Sequence, residues 1–391
     1  MRPFNFLLCP SSTITKLQSQ INTIMSHLKK LSLFLILFVS GSLLLSCTEA
    51  QQSKEAAKET PRNIILMIGD GMGLNQIYGA MTVSKEPLVF EQFPNIGLQE
   101  TNSADNYITD SGASGTALAT GSKTNNEHIS MTADGDTLTT ILEHAERAGL
   151  STGLVSTSSI LHATPAAFIA HNKSRHNYYE LAADFLETDI DVFIGGGYKH
   201  FADRDDGRNL VEELRQKEYN IYRELDEIKK AKKGKIAGFT AEEHNPKYSE
   251  GRGDMLPVST QTALRTLNNN ENGFFLMVEG SQIDWGGHEN NSEYVMNELM
   301  DFNRAVENAM EFARNNPRTL LVVTSDHETG GLTLTGGDLE NNEIEASFSS
   351  DGHTAALMPV FATGPGAEKF NGIYDNTDIF KKMMELYDFD R

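Results

Sequence analysis

The stretch Thr109 to Gly121, TDSGASGTALATG, sets one serine directly behind an aspartate and at the head of a run of Gly, Ala, Ser and Thr. Four further stations carry groups that bind metals or move protons: Asp70 in DGMG; Glu279, Asp284 and His288 in VEGSQIDWGGH; Asp326 and His327 in SDHETGG; and His353 in DGHTA. Taken singly, each Asp reads as a turn or cap residue, because Asp hydrogen-bonds its own backbone. Gathered in one place, four carboxylates and three histidines would repel one another and shift their titrations strongly. Divalent cations remove that difficulty. A nitrogen and oxygen donor set without thiolate suits zinc where imidazoles take part and magnesium where only oxygens do. Two zinc ions and one magnesium would outweigh the carboxylates and leave the site locally positive.

Such ions also supply what the serine lacks. A bare hydroxyl is a weak nucleophile at neutral pH and no base neighbours Ser111 in sequence, whereas coordination to zinc lowers its pKa toward the alkoxide. Asp110 is placed to cap a helix opened by Ser111, where free N–H groups and the helix dipole favour negative charge. Small residues at 112 to 117 let that helix end press close to metals and substrate. The same segment also reads as a small-residue helix packed on a sheet, with Ser111 a capping residue, and on its own it leaves both readings open.

The stations need elements that bring them together. NIILMIG (Asn63 to Gly69), STGLVST (Ser151 to Thr157), DVFIGGG (Asp191 to Gly197), GFFLMVEG (Gly273 to Gly280) and TLLVVTS (Thr319 to Ser325) are short, nearly continuous apolar runs, the pattern of parallel strands buried on both faces. Thr137 to Leu150 and Glu293 to Asn316 repeat apolar residues at three and four, the helical period. This alternation predicts an α/β fold: a doubly wound, mostly parallel central sheet with helices on both faces. Open sheets of that kind build their sites at the carboxyl ends of the strands, where most of these stations fall; His353 instead precedes the apolar run AALMPVFATG.

With the stations in this order, the chain resembles the alkaline phosphatase family. ITDSGASGT, Ile108 to Thr116, is similar throughout to that family's phosphoserine signature, and the likeness runs from about Arg62 to near the end. The resemblance implies an alkaline-phosphatase-like fold and hydrolysis of phosphate monoesters in two in-line steps, with Ser111 the nucleophile that becomes phosphorylated. It implies two zinc ions and one magnesium: Asp284, His288 and His353 at the first zinc, Asp326 and His327 with the bridging Asp70 at the second, Glu279 and Thr164 (in HATPAA) at the magnesium. Arg175, in NKSRHNYY, resembles the arginine that clamps the substrate phosphate, oriented in part by Asp110; without the family it reads as a surface arginine. His162 stands where an Asp often supports the magnesium, which favours zinc there, and Trp285 where a Lys often reaches phosphate, which weakens product retention. Other members carry the same pair. A phosphodiesterase or phosphonate hydrolase of the same superfamily would share the zinc stations, but Arg175, Glu279 and Thr164 together favour the monoesterase. A non-catalytic surface lipoprotein binding metal or phosphate would have no need of Ser111. No sulfatase motif is found.

Composition frames this reading. Met1 to Ser46 holds Arg2, Lys16, Lys29 and Lys30 and no Asp or Glu, and the apolar run Leu31 to Leu45 is short for a membrane span and right for a signal-peptide core. The expectation is a signal segment over 1–46 with the true start at Met25, a polar tether over 47–61 lipidated at Cys47, and one domain over 62–391, exported to the periplasm. Removing the leader takes the formal charge from −21 to −25, which argues against nucleic acid as a partner. Only Cys9 and Cys47 occur, so no cysteine pair lies in the domain. Only 25 residues separate His327 from His353, too few for a large inserted interface domain. The charged segment Tyr222 to Lys235 reads as a solvated helix and lysine-rich loop, and His128, His144, His171, His176, His200 and His244 as surface or packing residues.

Overall fold

The computed structural model describes Met25 and residues 60–387. The expected signal segment apart from Met25, Cys47 with its expected lipid, and nearly all of the expected tether lie outside those residues.

The chain lays down strands β1 (Asn63–Gly69), β2 (Asn95–Glu100), β3 (Ser151–Ser159), β4 (Val192–Gly196), β5 (Asn220–Tyr222), β6 (Ile236–Phe239), β7 (Phe274–Gly280) and β8 (Thr319–Thr324). Two small antiparallel ladders follow, β9 (Glu328–Thr329) with β12 (His353–Thr354) and β10 (Thr333–Asp338) with β11 (Glu343–Ser347). Strands β13 (Met358–Thr363) and β14 (Gly372–Asp375) complete the set. Ten of these form one sheet in the order β14-β2-β13-β8-β1-β7-β3-β4-β6-β5. All run parallel except β13, which pairs antiparallel with both β2 and β8.

The sheet is central because its middle strands are apolar on both faces. In β1, Ile64, Leu66 and Ile68 join one hydrophobic cluster while Ile65 and Met67 join the other, on opposite faces of the sheet. Helices cover each side, among them Ser111–Thr120 and Thr377–Tyr387 on one and Met255–Leu267 and Ser292–Asn315 on the other. The five strands expected from continuous apolar runs are all present. A sixth run, Ala355 to Gly364, yields β13, and its reversed direction leaves no trace in the pattern because a strand buried on both faces reads the same either way.

Helix limits follow the caps. The segment expected to be helical over Thr137 to Leu150 is helical only over Ile141–Arg147. Thr140 closes a capping box, its hydroxyl accepting from the Glu143 N–H at 3.2 Å while the Glu143 carboxylate accepts from the Thr140 N–H at 2.8 Å. Thr137 and Leu138 meanwhile bond back to Met131 and Ser130. Of Tyr222 to Lys235, only Leu225–Ile228 is helical; Ile228 and Ala231 are buried and the lysines at 229, 230, 232 and 233 are exposed.

Candidate active site

The carboxyl ends of β1, β7 and β8 lie side by side, and the segments leaving them are laced together. Asp70 follows β1 with its N–H donating to the Gly280 carbonyl, the end of β7, at 3.2 Å. The next N–H, of Gly71, donates to Asp326 Oδ1 beyond β8 at 3.2 Å. Gly71 has φ +74, and a Cβ there would sit 2.7 Å from the Asp284 Cα, so this close approach requires glycine.

Ser111 opens a ten-residue helix in which every residue is buried. Asp110 caps it, Oδ1 accepting from the Ala113 N–H at 2.9 Å. The small-residue run packs against a neighbouring helix: a Cβ on Gly115 would lie 3.1 Å from the Cβ of Ala167, at the end of the short helix Ala163–Ala166. The Ser111 hydroxyl is 3.3 Å from His327 Nε2, which itself lies 3.2 Å from Asp326 Oδ2 and 3.5 Å from Asp70 Oδ1. The second oxygen of Asp110 takes Arg175 Nη1 at 2.9 Å and the Glu127 N–H at 3.1 Å. Arg175 also places Nη2 3.3 Å from His162 Nε2. Its guanidinium is thus fixed beside the serine rather than exposed.

Three groups of side chains converge closely enough for a cation: Asp70, Asp326 and His327; Asp284, His327 and His353; and Asp70, Glu279 and His162. His288 adjoins the second, its Nε2 3.3 Å from Asp284 Oδ1 and 3.2 Å from His353 Nε2. The chemistry of these donors fits metal. The Nδ1 atoms of His288 and His353 lie 2.6 Å and 2.8 Å from the Asp351 and Thr109 carbonyls. A carbonyl only accepts, so each Nδ1 holds a proton, and each ring, once neutral, offers its Nε2 lone pair to a cation. Both oxygens of Asp70, Oδ2 of Asp326, Oε1 of Glu279 and the Thr164 hydroxyl are buried without a hydrogen-bond partner. Unpaired buried oxygens are costly in any protein, and a bound cation satisfies them.

The electrostatics of the metal-free protein express the same tension. Burial first, then the neighbouring acids, push Asp70 well above the usual carboxylate range and bring Asp326 up to about 7. Burial also raises Glu279, although Ser156 and Ser281 hydroxyls each donate to its Oε2 at 2.6 Å. Asp284 goes the other way: burial works against ionisation, but His288, His327 and His353 outweigh it and hold the carboxyl low. In return the hydrogen bond that His288 donates to the Asp284 carboxylate lifts His288 to about 9.

A pH dependence follows. Below about 9 a cation must displace the His288 proton, and above it none is held. Zinc affinity of the metal-free protein is therefore expected to rise from pH 7 to about 9. Calorimetric titration in buffers of different ionisation enthalpy should show proton release below pH 9; an affinity flat across that range, with no release, would refute it.

All thirteen residues singled out in the sequence fall in or against this cluster. Trp285 is partly buried beside His162, ring centroids 6.1 Å apart. Thr164 lies on the short helix Ala163–Ala166 and faces Glu279. Sequence reasoning missed Ser156 and Ser281, which hold Glu279, and Thr329, whose hydroxyl donates to Asp284 Oδ1. His244, expected to be an ordinary packing residue, packs on Trp285 with centroids 5.0 Å apart. Single hydroxyls and a lone histidine carry no spacing signal.

Comparison with known proteins identifies the chain's relatives. A family model described as alkaline phosphatase matches residues 61–345. Alkaline phosphatase 3 of Bacillus subtilis (strain 168) is 33% identical over 427 aligned residues, which span 87% of this chain and 92% of the relative. Among solved structures, the alkaline phosphatase from the Antarctic bacterium TAB5 is 40% identical with a TM-score of 0.80, covering 84% of this chain and 98% of its own. A mutant of that enzyme, with a histidine replaced by aspartate and magnesium bound in its M3 site, matches equally well.

Proposed function

The chain belongs to the alkaline phosphatase family and hydrolyses phosphate monoesters, and we propose that it does so through a phosphoserine at Ser111, in a site for two zinc ions and one magnesium. Asp284, His288 and His353 would hold one zinc, and Asp70, Asp326 and His327 the other. Glu279, Thr164 and Asp70 would hold the magnesium, with His162 adjoining as a nitrogen donor that favours zinc at this third position. The TAB5 mutant carries magnesium with an aspartate in place of a histidine, which fits an oxygen donor set for that ion.

One observation carries the reading: the Ser111 hydroxyl sits at a helix N-terminus, 3.3 Å from His327 Nε2, among buried carboxylate oxygens that no protein group satisfies. When bound, the metals would lower the hydroxyl's pKa and offset charge on the attacking and departing oxygens. The chain itself does the rest. Ser111 Oγ bonds to phosphorus as the ester oxygen departs with its electron pair and leaves as the alcohol. Water then cleaves the phosphoserine, giving inorganic phosphate and restoring the hydroxyl. The planar fork of Arg175 and the open N–H groups of the helix receive the equatorial phosphoryl oxygens. Asp110 orients that fork while capping the helix, so one carboxylate sets both the clamp and the serine.

The test is to quench turnover of a chromogenic monoester in acid and map the label. Phosphate on Ser111, with little turnover of the matching diester, is expected; a labelled residue elsewhere, or faster diester cleavage, would refute it. Arg175→Ala is expected to lower kcat/KM by roughly 10²–10³-fold, the cost of one positioned donor group at a charged transition state. Metal content should be unchanged, and steady-state kinetics beside metal analysis check both.

A further inference from the structure

We infer that His244 is a positioning residue for the third-metal group, fixing the ring of His162 through a wall completed by Trp285; the inference rests on the metal reading above. A metal-binding histidine is normally oriented by a hydrogen bond on its other ring nitrogen. His288, His353 and His327 have one, the last from Nδ1 to the Thr329 hydroxyl at 3.3 Å. In His162 the nitrogen without a partner is Nδ1, which is buried, while Nε2 meets Arg175 Nη2 at 3.3 Å. That one contact fixes an edge, and something else must hold the faces of the ring.

Two rings do. Trp285 meets His162 edge to face at 6.1 Å and 80°, and His244 meets it at 5.9 Å and 84°. His244 and Trp285 close the triangle at 5.0 Å and 90°. His244 is itself anchored to the strand end that carries His162. The Ser159 N–H donates to His244 Nδ1 at 3.0 Å, while the Ser159 carbonyl accepts from the His162 N–H at 2.9 Å. Because a backbone N–H only donates, the neutral His244 ring has its lone pair at Nδ1 and its proton at Nε2. The next residue fastens the wall to the opposite side: the Asn245 carbonyl accepts from Gln282 Nε2 at 2.9 Å, and Gln282 opens the helix Gln282–His288 that carries Trp285. His244 therefore bridges the end of β3 and the zinc-bearing helix, with its ring pressed between them.

The experiment uses the full chain loaded with two equivalents of zinc, which leaves the third position without metal, and titrated with Mg²⁺ alone. Trp285 is the only tryptophan, so its emission reports this wall directly. In His244→Ala and His244→Asn the Mg²⁺ midpoint is expected to rise about tenfold, the scale on which second-layer partners of a metal act, and Trp285 emission to shift, while zinc content holds. His244→Phe, which restores a ring without the acceptor, is expected to return the midpoint toward that of the parent. Unchanged midpoints in Ala and Asn overturn the inference. So does rescue by Asn, which keeps an acceptor for the Ser159 N–H but no ring, or a parent whose emission ignores Mg²⁺. Loss of zinc together with a fall in Tm in every variant overturns it as well, since that marks a merely structural residue. Failure of the Ser111 proposal would appear as label on another residue, and would leave these midpoints where they are.

Discussion

Replacing Ser111 by alanine is expected to lower kcat for a phosphate monoester by on the order of 10⁴-fold or more, as removal of a covalent nucleophile does elsewhere, with fold and metal content intact. The substitution deletes one oxygen from a residue that is 1% exposed. Asp110 still caps the helix through the Ala113 N–H, and alanine is the better helix former. No buried partner is stranded, because His327 keeps its Nδ1 contact with Thr329 and its place beside Asp70 and Asp326. Thermal unfolding of the variant should therefore lie within a few degrees of the parent, and acid-quenched protein should carry no phosphate. What turnover survives would come from the metals and Arg175 acting on water. A variant that binds substrate but loses zinc would instead make the serine a structural residue, and a variant with near-parental turnover would place the nucleophile elsewhere.

Much of this arrangement is legible in the amino-acid sequence, for a physical reason. Parallel strands buried on both faces are apolar almost throughout, so β1, β7 and β8 stand out as runs, and the charged residues and histidines within a few positions beyond them reach the sheet edge. Asp70, Asp284, Asp326 and His327 are therefore visible by position as well as by type. The direction of β13 is not visible, because nothing in Met358–Thr363 distinguishes a reversed strand between two neighbours. Arg175 needed the family resemblance. What buries it is Asp110, 65 residues earlier, and no local pattern encodes a contact of that range. Ser156 is hidden for the same reason: it meets Glu279 only because β3 pairs with β7; Ser281, two residues beyond Glu279, is a single hydroxyl without a spacing signal. His244 is harder still, a lone histidine whose neighbours arrive from the end of β3 and the helix after β7.

Asp70→Asn should produce two effects of opposite sign. Asp70 belongs to two of the three convergent groups, so losing its charge weakens two metal positions at once. The expected fall in kcat/KM is on the order of 10³-fold, because charge stabilisation by a metal is worth several kcal/mol, and metal analysis should show less than the full complement. The metal-free protein should respond in the other direction. There Asp70 has both oxygens unpartnered, and burial, followed by repulsion from Asp326, Asp284 and Glu279, raises its pKa well above the ordinary value. An acid with a raised folded-state pKa holds a proton in the folded state that the unfolded chain has released. Metal-free stability thus falls as pH climbs from the unfolded pKa of about 4 toward the folded value, and the lost stability is not regained above it. Asparagine has the shape without the titration, so the metal-free variant should unfold at a higher Tm than the metal-free parent at pH 7 to 8, while the metal-loaded variant unfolds at a lower one. Melting curves with and without chelator decide the matter. A variant that shifts the same way in both states would show that Asp70 serves the fold, and that the unpaired oxygens at this sheet edge are not there for cations.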